Sequence, residues 1–147
     1  MKLSLFAKII FAAIAYVVIA ELVNIFTASA TTSYYIDPNY FSVWSTLMMP
    51  SAGPPPVMFF YYSIAFAFIT GLIFSFVYSK VGKILHEKDA LGKGLRYGLG
   101  LFFVAGIPFF LTTLLLINVP FALLVIWLST NLIVYLLSGI SIAKIFE

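Results

Sequence analysis

Glu21 is the residue in this chain best placed to do chemistry, because it is a carboxylate within a long apolar segment. Asn24 follows it by three residues, so the two side chains lie on one face of a helix. An ionised carboxylate is costly in a membrane, and residues of this kind are functional candidates by default. Desolvation favours the protonated form, which would allow proton exchange. Glu21 and Asn24 are therefore our candidate polar or coupling site.

Asn131 lies near the middle of the last apolar segment and is the natural partner of Glu21 from another helix. Two interpretations stay open. In the first, Glu21 hydrogen-bonds to Asn24, Asn131 or a tyrosine and only fixes how the helices pack. In the second, Glu21 couples protons to transport. The first is favoured, because polar bonds between membrane helices are common and worth about 1 kcal/mol.

The sequence contains few residues that could bind a metal or a cofactor or catalyse a reaction. The chain has no cysteine and one histidine, His86, which is followed at once by Glu87, Lys88 and Asp89. A single loop histidine cannot build a metal site or hold haem through two histidines. No nucleophile stands beside a base, and no phosphate-binding glycine loop is present. We therefore expect no enzyme activity, no metal and no cofactor.

Composition predicts that the elements positioning these residues cross a membrane. Hydrophobic residues make up 63% of the 147 residues and charged residues 9%, which is too little polar surface for a soluble domain. A bilayer core needs about 20 apolar residues as helix. Four windows qualify, at 5–26, 57–79, 95–117 and 121–143. We expect an all-α, polytopic four-transmembrane-helix bundle, with residues 1–147 as one membrane domain.

The basic residues predict the orientation. All eight fall near the chain ends or in and directly beside the connection at 80–94, with Arg96 two residues beyond it, and none falls in 28–56 or 118–120. By the positive-inside rule, the loop at 80–94 and both termini are cytoplasmic, in a multi-pass protein of the plasma membrane or bacterial inner membrane. The net charge of +3 follows from this placement. It gives no reason to expect a nucleic-acid partner, and membrane lipids are the expected surroundings.

The outer loop at 28–56 is expected to carry a short amphipathic helix at about 38–49. Asp37 and Pro38 form a helix-start signal, and Pro50 ends the segment. The apolar members of this segment share one helical face and suit the membrane interface: they are Tyr40, Phe41, Trp44, Leu47 and Met48. This face either anchors the loop or forms a lid over a pocket for a lipid or quinone.

Small residues predict how the helices pack, since close backbone approach drives association in lipid. The second span carries Ser63, Ala67, Gly71, Ser75 and Ser79 at every fourth position, and further candidates are Gly94, Gly98 and Gly139. Packing within one four-helix bundle is the favoured interpretation. A homo-oligomer interface, or a place in a larger membrane complex, is the alternative.

Two resemblances follow from these residues. The C-terminal half resembles small four-span membrane proteins of prokaryotes in its pattern of glycine, proline and aromatic residues, which comprises Gly94, Leu95, Arg96, Tyr97, Gly98, Leu99, Gly106, Ile107, Pro108, Pro120, Trp127 and Gly139. That resemblance implies a self-contained bundle and no particular activity. Residues 20–23, which include Glu21, are similar to the first helix of small multidrug transporters, although the long outer loop departs from that family.

The expected function is that of a non-enzymatic membrane protein that binds a lipid or an apolar ligand, or serves a membrane complex. The alternative is a small proton-coupled transporter that uses Glu21 as its coupling carboxylate.

Overall fold

The computed structural model describes residues 3–51 and 53–147, and over these residues it contains helices and no strands. Lys2, one of the basic residues used for orientation, lies outside the described residues. The elements are α1 (Leu5–Ala30), α2 (Thr32–Tyr35), a 3₁₀ helix (Pro38–Val43), α3 (Val57–Val81), α4 (Ala90–Leu101), a π-helical segment (Phe102–Gly106), α5 (Ile107–Leu116) and α6 (Phe121–Phe146).

Four of the described helices are long and apolar enough to cross a membrane: Leu5–Ala30, Val57–Val81, Ala90–Leu116 and Phe121–Phe146. The predicted four-helix membrane bundle is thereby confirmed. The spans differ from the predicted windows at their ends: α1, α3 and α6 run two to four residues further at their C-terminal ends, and α4 begins five residues earlier. Ser4 accepts a hydrogen bond from the backbone of Ala7 before α1, and Asp89 does the same for Gly92 before α4. The connection expected at 80–94 therefore shortens to 82–89.

The third span is a composite of α4, the π-helical segment and α5. Pro108 lies in the first turn of α5 and cannot donate a backbone hydrogen bond. The wider π turn directly before it, Phe102–Gly106, accommodates the break in the backbone hydrogen bonds of the helix. The sequence predicts that Pro108 disturbs the third span. In the structure this disturbance is the π turn at Phe102–Gly106.

The helices pack in the order α3, α1, α6, α4. Glycines allow the helices to approach closely at two of these contacts, between α3 and α1 and between α6 and α4. A Cβ added to Gly71 on α3 would lie 2.9 Å from the Cα of Ala13 on α1. A Cβ on Gly94 or Gly98 would overlap the backbone of α6, and one on Gly139 would overlap the backbone of α4. Of the predicted small residues of α3, Ser63 and Gly71 thus contact α1 within one chain.

One end of the bundle, which we call the basic end, holds the starts of α1 and α4 and the ends of α3 and α6. The side chain of Lys8 donates a 2.7 Å hydrogen bond to the carbonyl of Phe146 there, tying α1 to α6. Tyr78 and Tyr97 pack edge to face with ring centroids 5.0 Å apart, which joins α3 to α4. All four spans therefore meet at the basic end.

The opposite end, which we call the loop end, is covered by residues 31–51 and 53–56. The amphipathic helix expected at 38–49 is wrong in length and type, because the structure has a 3₁₀ helix that stops at Val43. Trp44 is extended, and Ser45 then accepts the backbone hydrogen bonds of Met48 and Met49 to form a separate turn. Six residues are too few for a stable α-helix in isolation, so the segment forms the shorter-range hydrogen bonds of a 3₁₀ helix and a turn instead.

Candidate functional site

A cavity of about 910 Å³ lies at the loop end, between the four spans and beneath the loop. Its walls come from α1, α3, α5 and α6, and its cover comes from α2 and the loop. The lining is mostly apolar, with Phe59 and Phe60 on one side and Phe109 and Ile117 on the other. Its volume is near the upper end of the usual range for small-molecule sites, about 300–1,000 Å³.

Glu21 lies in the wall of this cavity and is half-buried. The hydroxyl of Ser63 on α3 donates a 2.8 Å hydrogen bond to its Oε1 atom. The sequence singles out Ser63 only as a packing residue, and it favours Asn131 as the partner of Glu21. The structure thus assigns the contact to α3, which is the direct neighbour of α1.

Asn24 and Asn131 also line the cavity, on α1 and α6. Neither amide makes a hydrogen bond to another side chain within the described residues. Closer to the loop end, the hydroxyls of Thr27 and Thr130 lie 3.0 Å apart and link the same two helices. Polar groups from two helices therefore line one side of an otherwise apolar chamber.

An aromatic cluster of Tyr35, Trp44 and Trp127 closes the top of the cavity. The indole N–H of Trp127 donates a 3.1 Å hydrogen bond to the hydroxyl of Tyr35. The ring centroid of Trp44 lies 5.0 Å from that of Tyr35 and 6.2 Å from that of Trp127. The indole nitrogen of Trp44 is buried and has no hydrogen-bond partner among the described residues. Tilted and edge-to-face ring contacts with Tyr35 and Trp127 therefore hold Trp44 in place.

The residues predicted to form an outer lid divide among three positions. Trp44 and Met48 line the large cavity, and Leu47 lines a second, smaller cavity of about 320 Å³ between α1 and α3. Tyr40 and Phe41 line neither of these two cavities. The cover of the large cavity therefore also includes residues that the helical pattern did not predict, above all Tyr35, Met49 and Pro55. The sequence points to these three residues only because the loop is rich in apolar residues and Asp37 is its one charged residue.

The charges are separated between the two ends of the bundle. Glu21 is the one ionisable acid or base of the Asp, Glu, Lys, Arg or His type among the residues lining the large cavity. At the basic end, Arg96 lies 2.7 Å from Glu87. The hydrogen bond from Arg96 holds the pKa of Glu87 below its ordinary value. The cavity is thus apolar with one acidic group, and it suits neutral or positively charged occupants better than anions.

Within residues 3–51 and 53–147, no group of three or more His, Cys, Asp or Glu side chains could hold a metal ion. Comparison of the chain with protein-family models, with curated proteins and with solved structures gives no match. The chemistry of the site therefore has to be inferred from its own geometry. That geometry offers apolar surface, one carboxylate and a few neutral hydrogen-bonding groups.

Proposed function

We propose that this protein is a non-enzymatic binding protein of the membrane, and that it holds an apolar or amphipathic molecule in the large cavity at the loop end. The observation that carries the proposal is the cavity itself, about 910 Å³ of mostly apolar space with Glu21 in its wall. The volume and the mostly apolar lining are those of a small-molecule site, in which a few polar groups orient the ligand.

The orientation belongs to the same proposal. We place the basic end in the cytoplasm, together with both termini, in a plasma or bacterial inner membrane. The distribution of the eight basic residues supports this orientation through the positive-inside rule. The cavity then faces the outer leaflet, and bilayer lipids or molecules dissolved among them are the expected source of the ligand.

The chain offers a built-in reporter for the test, because both of its tryptophans, Trp44 and Trp127, line the large cavity. The purified protein would be placed in lipid nanodiscs and titrated with a brominated long-chain alcohol, whose bromine quenches tryptophan at short range. We expect quenching that saturates with the alcohol-to-lipid ratio. Quenching that rises in proportion to the bulk membrane content, without saturation, would mean that the cavity does not bind the probe.

A matched pair of variants on α1 gives the control. Ala28 and Ala30 are both exposed, but only Ala28 is among the residues that line the cavity. Ala28→Phe should weaken binding about tenfold, because overpacking costs about 1–3 kcal/mol and about 1.4 kcal/mol is a factor of ten. Ala30→Phe should leave the affinity unchanged. Equal affinities in the two variants would contradict a site within the cavity.

A second candidate function is the small proton-coupled carrier. The observation that favours it is that Glu21 lines both cavities, so its carboxyl group could be reached from two sides. Infrared difference spectroscopy of the carboxyl stretch, with Glu21→Gln as control, would test this. A carboxyl group that takes up or releases a proton near neutral pH when an apolar cation is added would support the carrier. A carboxyl group that never changes protonation would exclude it.

A further inference from the structure

The smaller cavity lies between α1 and α3, on a side of the bundle that faces lipid. Its walls include Tyr62 and Phe66 of α3, whose side chains are 40% and 57% exposed, and Thr70 one turn further towards the basic end. Leu47 from the loop reaches the same space. Its volume of about 320 Å³ is at the lower end of the range for small-molecule sites, about 300–1,000 Å³. It has room for one apolar chain.

The two cavities adjoin at a shared wall. Four residues line both of them: Glu21, Asn24, Phe59 and Ser63. At this wall the hydrogen bond from Ser63 to Glu21 crosses from α3 to α1. Side chains, rather than packed backbones, therefore separate the smaller cavity from the larger one.

The contact between α1 and α3 is different in the direction of the basic end. Gly71 lies two helical turns from Ser63, about 12 Å along α3. There a Cβ on Gly71 would come within 3.0 Å of Ala13 and Tyr16. The backbones are too close at that level for a ligand to pass. The Glu21–Ser63 level is therefore where the interface between these two helices can open at the least structural cost.

The route from the aqueous side is covered more thoroughly. Tyr35, Trp44 and Trp127 pack together over the cavity, and the hydrogen bond from Trp127 to Tyr35 ties the cover to α6. Met49, also in the lining, is buried. An amphiphile dissolved in the bilayer would instead meet Tyr62 and Phe66 at the lipid-facing surface.

We infer that the smaller cavity is an entry site for a single-chain amphiphile from the bilayer, whose hydrogen-bond-donating polar end displaces Ser63 from Glu21 and passes into the larger cavity. The inference rests on the proposed function, since it assumes that the large cavity binds a ligand. A hydroxyl or ammonium group can replace the Ser63 hydroxyl as donor to the carboxylate. A carboxylate or phosphate headgroup offers no such donor when ionised, and Glu21 would repel it.

The test measures how fast the brominated long-chain alcohol quenches the two tryptophans after mixing with protein in nanodiscs. Thr70→Phe fills the smaller cavity without touching the larger one, because Thr70 lines only the former. Ile69→Phe places the same new side chain at the adjacent exposed position, which lines neither cavity. Phe66→Ala provides the opposite change, since it removes an exposed side chain from the wall of the smaller cavity.

We expect Thr70→Phe to slow the quenching about tenfold or more, within the range of association-rate changes among variants of one site, with the final extent unchanged. Ile69→Phe should match the wild-type rate, and Phe66→Ala should be faster. If Thr70→Phe and Phe66→Ala both quench at the wild-type rate, the ligand enters elsewhere and only this inference is wrong. If the wild-type protein shows no saturable quenching, both the proposed function and the entry-site inference are wrong. A brominated fatty acid that saturates the site as well as the alcohol does would overturn the assignment of the polar end.

Discussion

The hydroxyl of Tyr97 donates a 2.6 Å hydrogen bond to the carbonyl oxygen of Phe74, and this bond joins α4 to α3 at the basic end. At the loop end the same two spans instead line opposite parts of the large cavity, through Phe59 of α3 and Phe109 of α5. The bundle is therefore closed at one end and hollow at the other. The proposed binding site depends on this asymmetry.

Tyr97→Phe tests the closure of the basic end. The variant keeps the ring that packs on Tyr78 and loses only the hydroxyl, so the free energy of unfolding should fall by about 0.5–1.5 kcal/mol. Reversible unfolding in mixed micelles would measure it. Tyr61→Phe is the control, because Tyr61 is 62% exposed on α3. A loss of equal size in both variants would mean that the Tyr97 bond does not join the helices.

The bond between Ser63 and Glu21 can be measured by a double-mutant cycle. Ser63→Ala removes the donor, and Glu21→Leu removes the acceptor while keeping a side chain of similar size. Hydrogen bonds between membrane helices average about 0.6 kcal/mol and reach about 1.7 kcal/mol. We expect a coupling energy in that range from unfolding of the two single variants and the double variant. A coupling energy of zero would show that the two residues are not in contact.

Gly139 and Gly100 form a matched pair for the contact between α4 and α6. A Cβ on Gly139 would meet the backbone of Gly94 and Gly98, whereas nothing lies within 4 Å of a Cβ on Gly100. Gly139→Ala should lower the free energy of unfolding by about 1–3 kcal/mol through overpacking. Gly100→Ala should leave it unchanged or raise it, because alanine favours helix. Equal stability of the two variants would argue against this close packing.

Gly71→Leu separates packing within one chain from packing between chains. Because Gly71 faces Ala13 on α1, the larger side chain should destabilise the single protomer by about 1–3 kcal/mol. Unfolding in micelles, together with sedimentation to determine the oligomeric state, would measure both effects. If the protomer keeps its stability while an oligomer dissociates, the small residues of α3 serve an interface between copies instead.

The ion pair at the basic end predicts a dependence on pH. Arg96 lowers the pKa of Glu87, so the folded pKa lies below the unfolded one. The pair therefore adds stability above the unfolded pKa, about 4.3 for glutamate, and loses it as the pH falls through the folded value. NMR titration of the Glu87 carboxyl group should show a higher midpoint in Arg96→Gln than in the wild-type protein. Lys93→Gln is the control, and an unchanged midpoint in Arg96→Gln would contradict the pairing.

Several features of this protein follow from the sequence alone. The four spans follow from apolar runs near 5–26, 57–79, 95–117 and 121–143, because a bilayer core admits only helices of about that length. The short connection at 118–120 forces the last two spans to be antiparallel neighbours. Gly71, Gly94, Gly98 and Gly139 stand out because only the smallest residues allow close backbone approach.

Other features were decided by the tertiary structure. The sequence places Glu21 in a membrane helix, yet its partner is Ser63 rather than Asn131, because helix order and rotation depend on contacts made by all four spans together. The expected helix at 38–49 became a 3₁₀ helix and a turn, since the loop is held by Tyr35 and Trp127 rather than by its own periodicity. The cavity has no sequence signal at all. It exists because α3 contacts the third span through Tyr78 and Tyr97 at the basic end, whereas both spans line the cavity at the loop end. Only the relative geometry of the spans sets the space between them.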